Sequence, residues 1–506
     1  MIRNIIKKYP KISRKGYDVI LKYWQIKSYV IKYDYPVNNI NSLPLDEIKE
    51  YNKLRIFGPK KQICYAPFNN LHFQMDGNVT LCSFNNKMLI GNVEQQRLKD
   101  IWSSSKAQEF RLKMADFNLD SCNSCKLAFN FKNYSSFPAV KYDLFSEDNA
   151  SFPTQMSFEL SNICNYECIM CNEELSSSIR KKMKLPAQFY KYPFDFIDQL
   201  REFIPHLKIA TFIGGEPFLI KTYFSIWEEI CKLNRNCIIH IQTNGSYIPN
   251  KFFDIIKNKN FEIGVSLDAL NKDLFERIRI NSNFDLVFQN LVKLIEYNNK
   301  GMISLNINYC LMNINWKELP KILSFCNQNR ISLKIIHVNM PYNFDIKNMP
   351  PDIIENIYTE LLAYSNNFNN STEVIIRRNN QSFLYSLNNI KSFIHDATII
   401  SSKIEQLVKI DCNELKSFFY KDLFSINTFS TYNHNTKVDF YNYSLSFIDK
   451  LTKDVVLQKC IYARMICYFN LSHPDIGSEL KYIELERLIL GFYELEKLII
   501  DSKYNI

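Results

Sequence analysis

The pattern of apolar and polar residues changes character along the chain. Between about residues 155 and 340, short β-type runs alternate with stretches in which apolar residues recur every three or four positions. The β-type runs are QMSFEL (155–160), KIATFI (208–213), CIIHIQ (237–242), EIGVSL (262–267), ISLNINY (303–309) and SLKIIHV (332–338). The stretches between them, such as FDFIDQLREFI (194–204) and FDLVFQNLVKLIEY (284–297), have the periodicity of amphipathic helices. This alternation predicts an α/β fold with a parallel sheet, whose functional side chains lie at the carboxyl ends of the strands.

Two further regions flank the alternating segment. Residues 60–130 are predicted to form a separate unit, in which HFQMDGNVTLC (72–82) has the alternation of a β-hairpin with an Asp76-Gly77 turn. Residues 98–113 have helical periodicity within the same unit. From about residue 345 the pattern is helical to the end of the chain, and it contains no short motif to which chemistry can be attached.

Composition and charge limit the class of protein. The 506 residues are 46% hydrophobic and 23% charged, which is typical of a globular chain with two or three domains. The net charge of +10 is concentrated at the start, where residues 1–32 carry nine Lys or Arg against one Asp, a local charge of +8. The remaining +2 leaves the rest of the chain close to neutral, so no broad basic face for nucleic acid is expected.

We interpret residues 1–60 as a basic and partly helical N-terminal arm. Tyr17, Leu21, Trp24 and Ile31 stand among lysines in a pattern that suits an amphipathic helix. Such a helix can be solvated or can pack on the protein's own core, and a peripheral membrane or partner contact is the alternative. No run of 18 apolar residues and no secretory signal occur in the sequence, so we expect no transmembrane segment and a cytoplasmic location.

Three of the fourteen cysteines lie within one short loop. Cys164, Cys168 and Cys171 directly follow the first predicted strand of the alternating region, at its functional edge. In a cytoplasmic chain, cysteines favour metal binding or burial over disulfides. A structural zinc site closes with four ligands, whereas three thiolates can hold an iron–sulfur cluster that keeps one iron open. Chance clustering of unrelated buried cysteines is the remaining alternative, and this spacing fits it poorly.

The spacing Cys164-x3-Cys168-x2-Cys171 after a first strand resembles the signature of the radical S-adenosylmethionine (radical SAM) enzymes. Three further motifs of that superfamily follow in order: GGEP (214–217) after the second strand, TNG (243–245) after the third, and SLDA (266–269) at the end of the fourth. Each motif alone is weak, but together they are in register with the six-fold β/α pattern. The resemblance implies a partial (β/α)6 TIM-like barrel of the radical SAM type over residues 150–345.

The resemblance also implies roles for the motif residues. The three cysteines would hold a [4Fe–4S] cluster whose open iron binds S-adenosylmethionine (SAM), and one electron would cleave SAM to a 5′-deoxyadenosyl radical that abstracts hydrogen from a substrate. The residues expected to contact SAM are Gly214, Gly215, Glu216, Pro217, Thr243, Asn244, Ser266, Asp268 and Arg279. Gly214 and Gly215 would allow close backbone approach, and Glu216 would accept a hydrogen bond from the SAM ammonium group. Arg279 would pair with the SAM carboxylate, with a surface ion pair as the alternative.

The upstream unit resembles the auxiliary-cluster module, called SPASM or twitch, of many radical SAM enzymes. Cys64-x12-Gly77-x4-Cys82 matches the opening motif of that module, and Cys122-x2-Cys125 matches its end. These four cysteines would hold one additional [4Fe–4S] cluster, and a closed zinc site is the alternative. We place the module at residues 61–135, ahead of the barrel, an order that resembles the subgroup with an N-terminal twitch domain.

Some residues are candidates for catalysis beyond the cofactors. Cys310 ends the fifth predicted strand at the functional edge, where a thiol can donate a hydrogen atom to a substrate radical, and simple packing is the alternative. Tyr309 and Tyr342 are candidates of the same kind. Tyr342 lies in a loop, bounded by Pro341 and Pro350, that is expected to flank the active site.

The expected function is hydrogen abstraction from a peptide or protein side chain, leading to crosslinking, epimerisation or oxidation. A dehydrogenase or epimerase acting on a small molecule or saccharide precursor is the first alternative. A non-catalytic zinc or iron–sulfur scaffold is the second, and the GGEP, TNG and SLDA motifs argue against it. The resemblance implies an electron donor such as flavodoxin or ferredoxin. Residues 346–506 form a helical region without an assigned role.

Overall fold

The computed structural model describes residues 43–504 apart from 56–57, 86–87, 123–124, 127–128, 130–136, 146–150, 189–191, 257–259, 369–370, 426–433 and 472–481. Most of the predicted N-terminal arm, residues 1–42, lies outside the described residues. The described residues divide into two compact units. The first unit comprises 43–167, 171–266 and 279–306, and the second comprises 168–170, 267–278 and 307–504.

The strands and helices follow the predicted alternation. The strands are β1 (Asn70–Phe73), β2 (Asn78–Thr80), β3 (Leu89–Asn92), β4 (Gln155–Phe158), β5 (Glu167–Cys168), β6 (Ile209–Phe212), β7 (Ile238–Thr243), β8 (Phe261–Ser266), β9 (Arg279–Ile280), β10 (Ile303–Leu311) and β11 (Ser332–His337). The helices of the α/β region and of the segment before it are α1 (Leu45–Leu54), α2 (Ala66–Asn69), α3 (Leu98–Trp102), α4 (Ser105–Ala115), α5 (Ser177–Lys182), α6 (Phe196–Phe203), α7 (Lys221–Leu233), α8 (Asn250–Ile255), α9 (Lys272–Ile278), α10 (Phe284–Asn299) and α11 (Leu319–Gln328). Six of these strands, β4, β6, β7, β8, β10 and β11, are the predicted ones, each within two residues of its expected bounds. The α/β class and the six-fold alternation of the predicted partial barrel are confirmed.

In the first unit the sheet has the strand order β8-β7-β6-β4-β1-β2-β3. The strands from β8 to β1 pair in parallel, whereas β1 with β2 and β2 with β3 pair antiparallel. One cross-strand row is apolar and consists of Phe73, Phe158, Phe212, Ile241 and Ile263. Its phenylalanine rings stack at 5.1 and 4.8 Å between centroids. This row packs on the helices, as the edge contact of Phe73 with Phe196 of α6 shows.

The structure adds detail to two predictions for the upstream segment. The hairpin predicted within a separate unit extends the sheet of the α/β region, because β1 pairs in parallel with β4. This pairing covers a strand edge that would otherwise expose backbone donors and acceptors. The helical periodicity over 98–113 corresponds to two helices, α3 and α4. The hydroxyl of Ser104 accepts a hydrogen bond from the backbone N–H of Ala107 and caps the start of α4.

The second unit contains the helical region that the sequence predicts after residue 345. Its helices are α12 (Pro351–Ser365), α13 (Val374–Leu407), α14 (Cys412–Ser425), α15 (His434–Leu451), α16 (Val455–Leu471) and α17 (Tyr482–Tyr504). Apolar side chains of α14 to α17, including Leu415, Phe440, Ile461 and Phe492, form a core of their own. Among the described residues, no helix is long and apolar enough to cross a membrane.

Candidate functional site

The loop that carries Cys164 is fixed by hydroxyl groups. The N–H of Cys164 donates to the Ser177 hydroxyl at 3.1 Å, and the carbonyl of Cys164 accepts from the hydroxyls of Ser177 and Ser178 at 3.1 and 2.9 Å. The thiol itself is half-buried, and burial raises its pKa. The first strand therefore ends in a loop whose backbone is held by the start of α5, with a sulfur that is still accessible.

The other two cysteines of the motif belong to different units, Cys171 to the first and Cys168 to the second. Cys171, in the first unit, is half-buried, and its neighbour Asn172 accepts backbone hydrogen bonds from Glu174 and Leu175. Cys168, in the second unit, is half-buried and ends β5. It is followed by Ile169, whose N–H donates to the carbonyl of Ile278 at 3.0 Å. Each of the three cysteines thus stands on a backbone held by hydrogen bonds.

The glycines of the GGEP turn permit a close approach to the cysteine loop. Gly214 has φ +83°, and a Cβ there would lie 2.9 Å from the carbonyl oxygen of Ser161. Gly215 has φ +47°, and a Cβ there would lie 2.2 Å from the carbonyl oxygen of Ile163. Both positions exclude a side chain on conformational and steric grounds. The close approach that these glycines allow in the structure is between the GGEP turn and the residues just before Cys164.

Glu216 ties the GGEP turn to the TNG turn. Its carboxylate accepts hydrogen bonds from the Thr243 hydroxyl at 2.7 Å, the Asn244 N–H at 2.6 Å and the Phe218 N–H at 3.1 Å. Its own N–H donates to the carbonyl of Ile163 at 2.7 Å. The side chain is completely buried, and this burial raises the pKa of the carboxyl to about 7 despite the three donors. Pro217 is also buried and begins the turn after the motif.

Asn244 links the TNG turn to the cysteine loop. Its amide donates to the side-chain oxygen of Asn165 at 3.0 Å and lies 4.0 Å from the sulfur of Cys164. Asn165 also donates to the Ser246 hydroxyl at 3.1 Å. The structure therefore brings the CxxxC segment, GGEP and TNG together in the first unit, as parallel strands that end at one edge of a sheet require.

Ser266 and Arg279 also belong to the first unit. The Ser266 hydroxyl accepts a hydrogen bond from the Gln242 amide at 2.9 Å. Arg279 is only 6% exposed, so the alternative of a surface ion pair is wrong. Its positive charge lowers the pKa of both Glu216 and Cys164. Arg279 is thus close enough to Glu216 and Cys164 to act on their electrostatics.

The remaining predicted residues lie in the second unit. Asp268 is buried and accepts from the N–H of Cys310 at 2.7 Å, so the SLDA motif is fixed to β10. Cys310 is half-buried and packs beside an apolar cluster that includes Met312. The buried hydroxyl of Tyr309 donates to the carbonyl of Asn315 at 2.5 Å. Tyr342 is buried in the helical core, with its ring against Tyr468 and Phe492 at 4.8 and 5.1 Å.

A polar row crosses the opposite face of the sheet in the first unit. The residues in register across five parallel strands are His72, Ser157, Thr211, His240 and Glu262. They face away from the apolar row, because successive side chains of a strand alternate between faces. Two contacts between an imidazole and a carboxyl group involve residues of this row. His240 contacts Glu262, and His72 contacts Glu159, each at 3.6 Å. Burial raises the pKa of Glu159 to about 7 and lowers that of His72 to about 4.

A second constellation consists of the four upstream cysteines. Cys64, Cys82, Cys122 and Cys125 border one cavity of about 400 Å³, space open to solvent included, whose wall also contains Met88, Met114 and Tyr142. Burial raises the pKa of all four thiols, to about 12 for Cys122, and the neighbouring sulfurs add to the effect at Cys64, Cys122 and Cys125. The structure therefore brings together all four cysteines that the sequence singles out.

The four sulfurs on this cavity are a ligand set that a multi-iron cluster or a zinc ion can use. Zinc would require the sulfurs about 2.3 Å from one centre. Among the residues that the structure describes, no three His, Cys, Asp or Glu side chains form a group that could hold a single metal ion. Hydrogen-bond donors surround the sulfurs: Ala66 N–H at 3.4 Å from Cys64, Phe84 N–H at 3.4 Å from Cys82, and the Asn85 amide at 3.7 Å from Cys122. Such donors stabilise the charge of cluster-bound thiolates.

Some residues of these sites were not singled out by the sequence motifs. Asn165 could have been found from its place within the Cys164-x3-Cys168 spacing, and Glu159 from its place as a charged residue in a buried strand run. His72 and Tyr142 give no comparable signal, because only the folded chain brings them to Glu159 and Cys82.

Comparison with known proteins agrees with this geometry. Residues 158–326 match the family model of the radical SAM superfamily, and residues 64–126 match that of SPASM, an iron–sulfur cluster-binding domain. Both matches agree with the resemblance seen in the cysteine, GGEP, TNG and SLDA motifs, and the SPASM match lies ahead of the radical SAM match. Radical SAM domains use a [4Fe–4S] cluster and SAM, and the SPASM domain binds an auxiliary iron–sulfur cluster.

Relatives of two kinds are similar to this chain. A probable GTP 3′,8-cyclase of Methanocaldococcus jannaschii is 27% identical over 227 residues, which are 44% of this chain and 69% of the relative. A cysteine-type anaerobic sulfatase-maturating enzyme of Clostridium novyi is 26% identical over 177 residues, 33% of this chain and 45% of the relative. A solved structure described as native anSMEcpe with bound AdoMet and Kp18Cys peptide is 17% identical, with 42% of this chain and 60% of that chain covered and a TM-score of 0.33. The match to a cyclase of Methanococcus maripaludis spans 63% of that relative.

Proposed function

We propose that this protein is a radical SAM enzyme that cleaves SAM reductively and abstracts hydrogen from a substrate. The observation that carries the proposal is the meeting of the Cys164 loop, GGEP and TNG through Glu216 and Asn244. A scaffold that held metal only for structure would have no need of this second, cysteine-free set of turns. The family match over residues 158–326 supports the same conclusion.

In this proposal Cys164, Cys168 and Cys171 hold the [4Fe–4S] cluster. When bound, the cluster and SAM together supply a one-electron cleavage that produces a hydrogen-abstracting 5′-deoxyadenosyl radical. The half-buried sulfurs fit a cluster that must keep one iron accessible to SAM. An electron donor such as flavodoxin or ferredoxin would reduce it.

The protein's own residues position SAM. Those assigned to this role are Gly214, Gly215, Glu216, Pro217, Thr243, Asn244, Ser266, Asp268 and Arg279. Glu216 acts mainly on the protein, because its buried carboxylate holds the TNG turn against the GGEP turn. Arg279, which is buried and cationic, is the group suited to a carboxylate of SAM. Cys310 and Tyr342 stay predictions for hydrogen-atom or proton transfer to the substrate.

Cys64, Cys82, Cys122 and Cys125 hold a second [4Fe–4S] cluster in this proposal. The shared cavity, the buried thiols and the N–H donors beside their sulfurs support four-thiolate ligation. A cluster ligated by four protein thiolates has no open iron, so its role is electron transfer with the substrate radical or support of the substrate.

A peptide or protein side chain is the proposed substrate. Support comes from the sulfatase-maturating relative, whose name describes action on a protein. The cyclase relatives favour a second candidate, a small molecule such as a nucleotide. The polar row of the sheet contains two imidazoles, two hydroxyls and a carboxylate, groups that can form hydrogen bonds with a polar substrate of either kind.

The experiment compares iron, sulfide and zinc content, electron paramagnetic resonance (EPR) signals and SAM cleavage after anaerobic reconstitution. The proteins are the wild type, a Cys164/Cys168/Cys171→Ala variant and a Cys64/Cys82/Cys122/Cys125→Ala variant. We expect about eight irons per wild-type chain and about four in each variant. SAM cleavage should be lost in the first variant and retained in the second.

The outcomes separate the parts of the proposal. About four irons plus one zinc in the wild type would keep the radical SAM site and replace the auxiliary cluster by a structural metal. Little iron and no cleavage of SAM in a wild type whose reconstitution controls succeed would overturn the enzyme and leave a scaffold. For the substrate, formation of 5′-deoxyadenosine that increases with added peptides but not with GTP would favour a peptide, and the reverse would favour a nucleotide.

A further inference from the structure

A tyrosine hydroxyl lies against one of the four upstream cysteine sulfurs. Tyr142 donates to the sulfur of Cys82 at 3.6 Å, within the first unit. N–H groups of Ala66, Phe84 and Asn85 also donate to sulfurs of this set. Tyr142 belongs to none of the cysteine motifs, since it lies 17 residues after Cys125 in the sequence.

The position of Tyr142 is fixed from several sides. It ends a short 3-10 helix, Pro138–Tyr142, and its carbonyl accepts from the Asn69 amide at 2.9 Å. The ring is 2% exposed. The phenol oxygen accepts from the Ser83 N–H at 3.2 Å and lies 3.3 Å from the Ser83 hydroxyl. With a backbone donor already on its oxygen, the phenol can direct its own proton to the Cys82 sulfur.

The phenol remains a donor over the range in which the protein functions. A phenol is protonated near neutral pH, and the Tyr142 oxygen already accepts from the Ser83 N–H, so its own proton is directed to the sulfur. The donors to the Cys82 sulfur therefore include the Phe84 N–H and the Tyr142 hydroxyl. A hydrogen bond to a thiolate ligand stabilises negative charge on the cluster, which is larger in the reduced state.

We propose that Tyr142 sets the reduction potential of the auxiliary cluster through its hydrogen bond to Cys82. The phenol is a positioning and tuning residue that acts through the cysteine ligand and does not touch the substrate. Its donor makes the cluster easier to reduce and so better able to accept an electron. The inference rests on the proposed function, because it requires an iron–sulfur cluster at Cys64, Cys82, Cys122 and Cys125.

The test measures the midpoint potential of each cluster by EPR-monitored redox titration of the reconstituted full-length protein. Tyr142→Phe removes the donor and retains the ring, so the potential of the auxiliary cluster should become more negative. Incorporation of 3-fluorotyrosine at position 142 keeps the shape and strengthens the donor, so the potential should become less negative. The cluster at Cys164, Cys168 and Cys171 serves as an internal reference and should not shift with either change.

Tyr462→Phe is the matched control. Tyr462 is also buried, in the helical core of the second unit, and its hydroxyl has no hydrogen-bond partner among the residues that the structure describes. Removing that hydroxyl should leave both potentials unchanged. A shift of the same size in this control would mean that loss of a buried phenol, and not the bond to Cys82, causes the effect.

Opposite shifts for Tyr142→Phe and 3-fluorotyrosine would support the proposal. Unchanged potentials in both proteins, or shifts in the same direction, would overturn it. Loss of iron from Tyr142→Phe together with a wild-type potential in the fluorotyrosine protein would also overturn it and leave a structural role. If Cys82→Ala removed no iron, the auxiliary cluster itself would be disproved, a failure of the proposed function that is distinct from an unshifted potential in a fully loaded protein.

Discussion

Glu216 shows how one buried residue can hold the turns of a site together. Its carboxylate is completely buried and accepts from a hydroxyl and two backbone N–H groups on two different turns. The motif GGEP predicts the position of this residue, but sequence reasoning gives it a contact with SAM. The structure gives it a contact with Thr243 and Asn244, so its first effect is on the geometry of the site.

Glu216→Gln is therefore expected to weaken SAM binding. A carboxamide would turn an N–H₂ group toward one of the three donors, which leaves a buried donor unsatisfied and costs about 1–3 kcal/mol. Expressed in SAM affinity, this corresponds to a rise of about 5-fold to 150-fold in the dissociation constant, measured by equilibrium dialysis with the cluster-loaded protein.

The same substitution at an exposed glutamate provides the control. Glu228 forms a surface ion pair with Lys251 at 2.6 Å, and its side chain is 48% exposed. Glu228→Gln should change SAM affinity by less than about twofold, because exposed ion pairs contribute little. Equal SAM affinities for the Glu216 variant and the wild type would show that the hydrogen bonds of the Glu216 carboxylate are dispensable for SAM binding.

The contact between His72 and Glu159 predicts an opposing pH dependence for two single substitutions. The folded-state pKa of Glu159 is raised to about 7 by burial, so its contribution to stability is lost as the pH rises from about 4.5 to 7. The folded-state pKa of His72 is lowered to about 4 by burial and by the charge of Lys141, so its contribution is lost as the pH falls from about 6.5 to 4. The charge of Glu159 also reaches the buried Tyr223.

Between pH 5 and 6.5 the two contributions cancel in the wild type and separate in the variants. Glu159→Gln should make the urea midpoint of the holo-protein rise with pH, and His72→Gln should make it fall, by an amount corresponding to about 1–3 kcal/mol at most. The double variant should be as flat as the wild type. Parallel slopes in the two single variants would contradict these protonation states.

At the scale of elements, the strands are the part of the fold that the sequence predicts best. The runs at 237–242 and 262–267 are apolar on one face and polar on the other, and β7 and β8 form there with His240 opposite Glu262. The pairing of β1 with β4 could not be predicted, because both strands are short and their partner choice depends on which sheet edge is free. For the same reason the contact between His72 and Glu159 has no sequence signal.

The glycines of GGEP predict a turn, and only the structure shows what the turn approaches. At Gly215, φ is +47° and a Cβ would clash with the carbonyl of Ile163, on the cysteine loop. Gly215→Ala should displace that loop and lower iron incorporation at the Cys164 site, with SAM cleavage reduced at least tenfold. Iron content and the EPR signal of this cluster are the measurements.

Gly301→Ala is the control that separates the cost of backbone strain from the effect of a steric clash. Gly301 also has a positive φ, +69°, but a Cβ there would meet nothing within 4 Å. The substitution carries only the conformational cost, about 1–2 kcal/mol, and should leave iron content and SAM cleavage unchanged. A loss of iron in this variant equal to that of Gly215→Ala would show that destabilisation alone, and not the clash with the cysteine loop, accounts for both.

At the scale of the whole molecule, the residues around Glu216 and the helical core belong to different units. The residues that meet around Glu216 all belong to the first unit, whereas the apolar core of α14 to α17 belongs to the second. Helical periodicity predicts the existence of that region. It does not predict that Tyr342 packs into its core, because the partner residues Tyr468 and Phe492 follow more than a hundred positions later.

Substitution in the helical core should consequently change stability and leave the SAM chemistry intact. Phe492 is 3% exposed and packs against Tyr342 and Tyr468, so Phe492→Ala should leave a cavity and cost about 3–5 kcal/mol of unfolding free energy in this region. Phe418 is 37% exposed in α14, and Phe418→Ala should cost less than about 1 kcal/mol. Both variants should form 5′-deoxyadenosine at the wild-type rate in the absence of substrate, because Glu216, Asn244 and Cys164 are unaltered. The free energy of unfolding is measured by urea unfolding followed by fluorescence, and the rate of 5′-deoxyadenosine formation is measured without substrate. A Phe492→Ala protein that is destabilised and has also lost basal SAM cleavage at low urea would mean that the helical region supports the cofactor site itself.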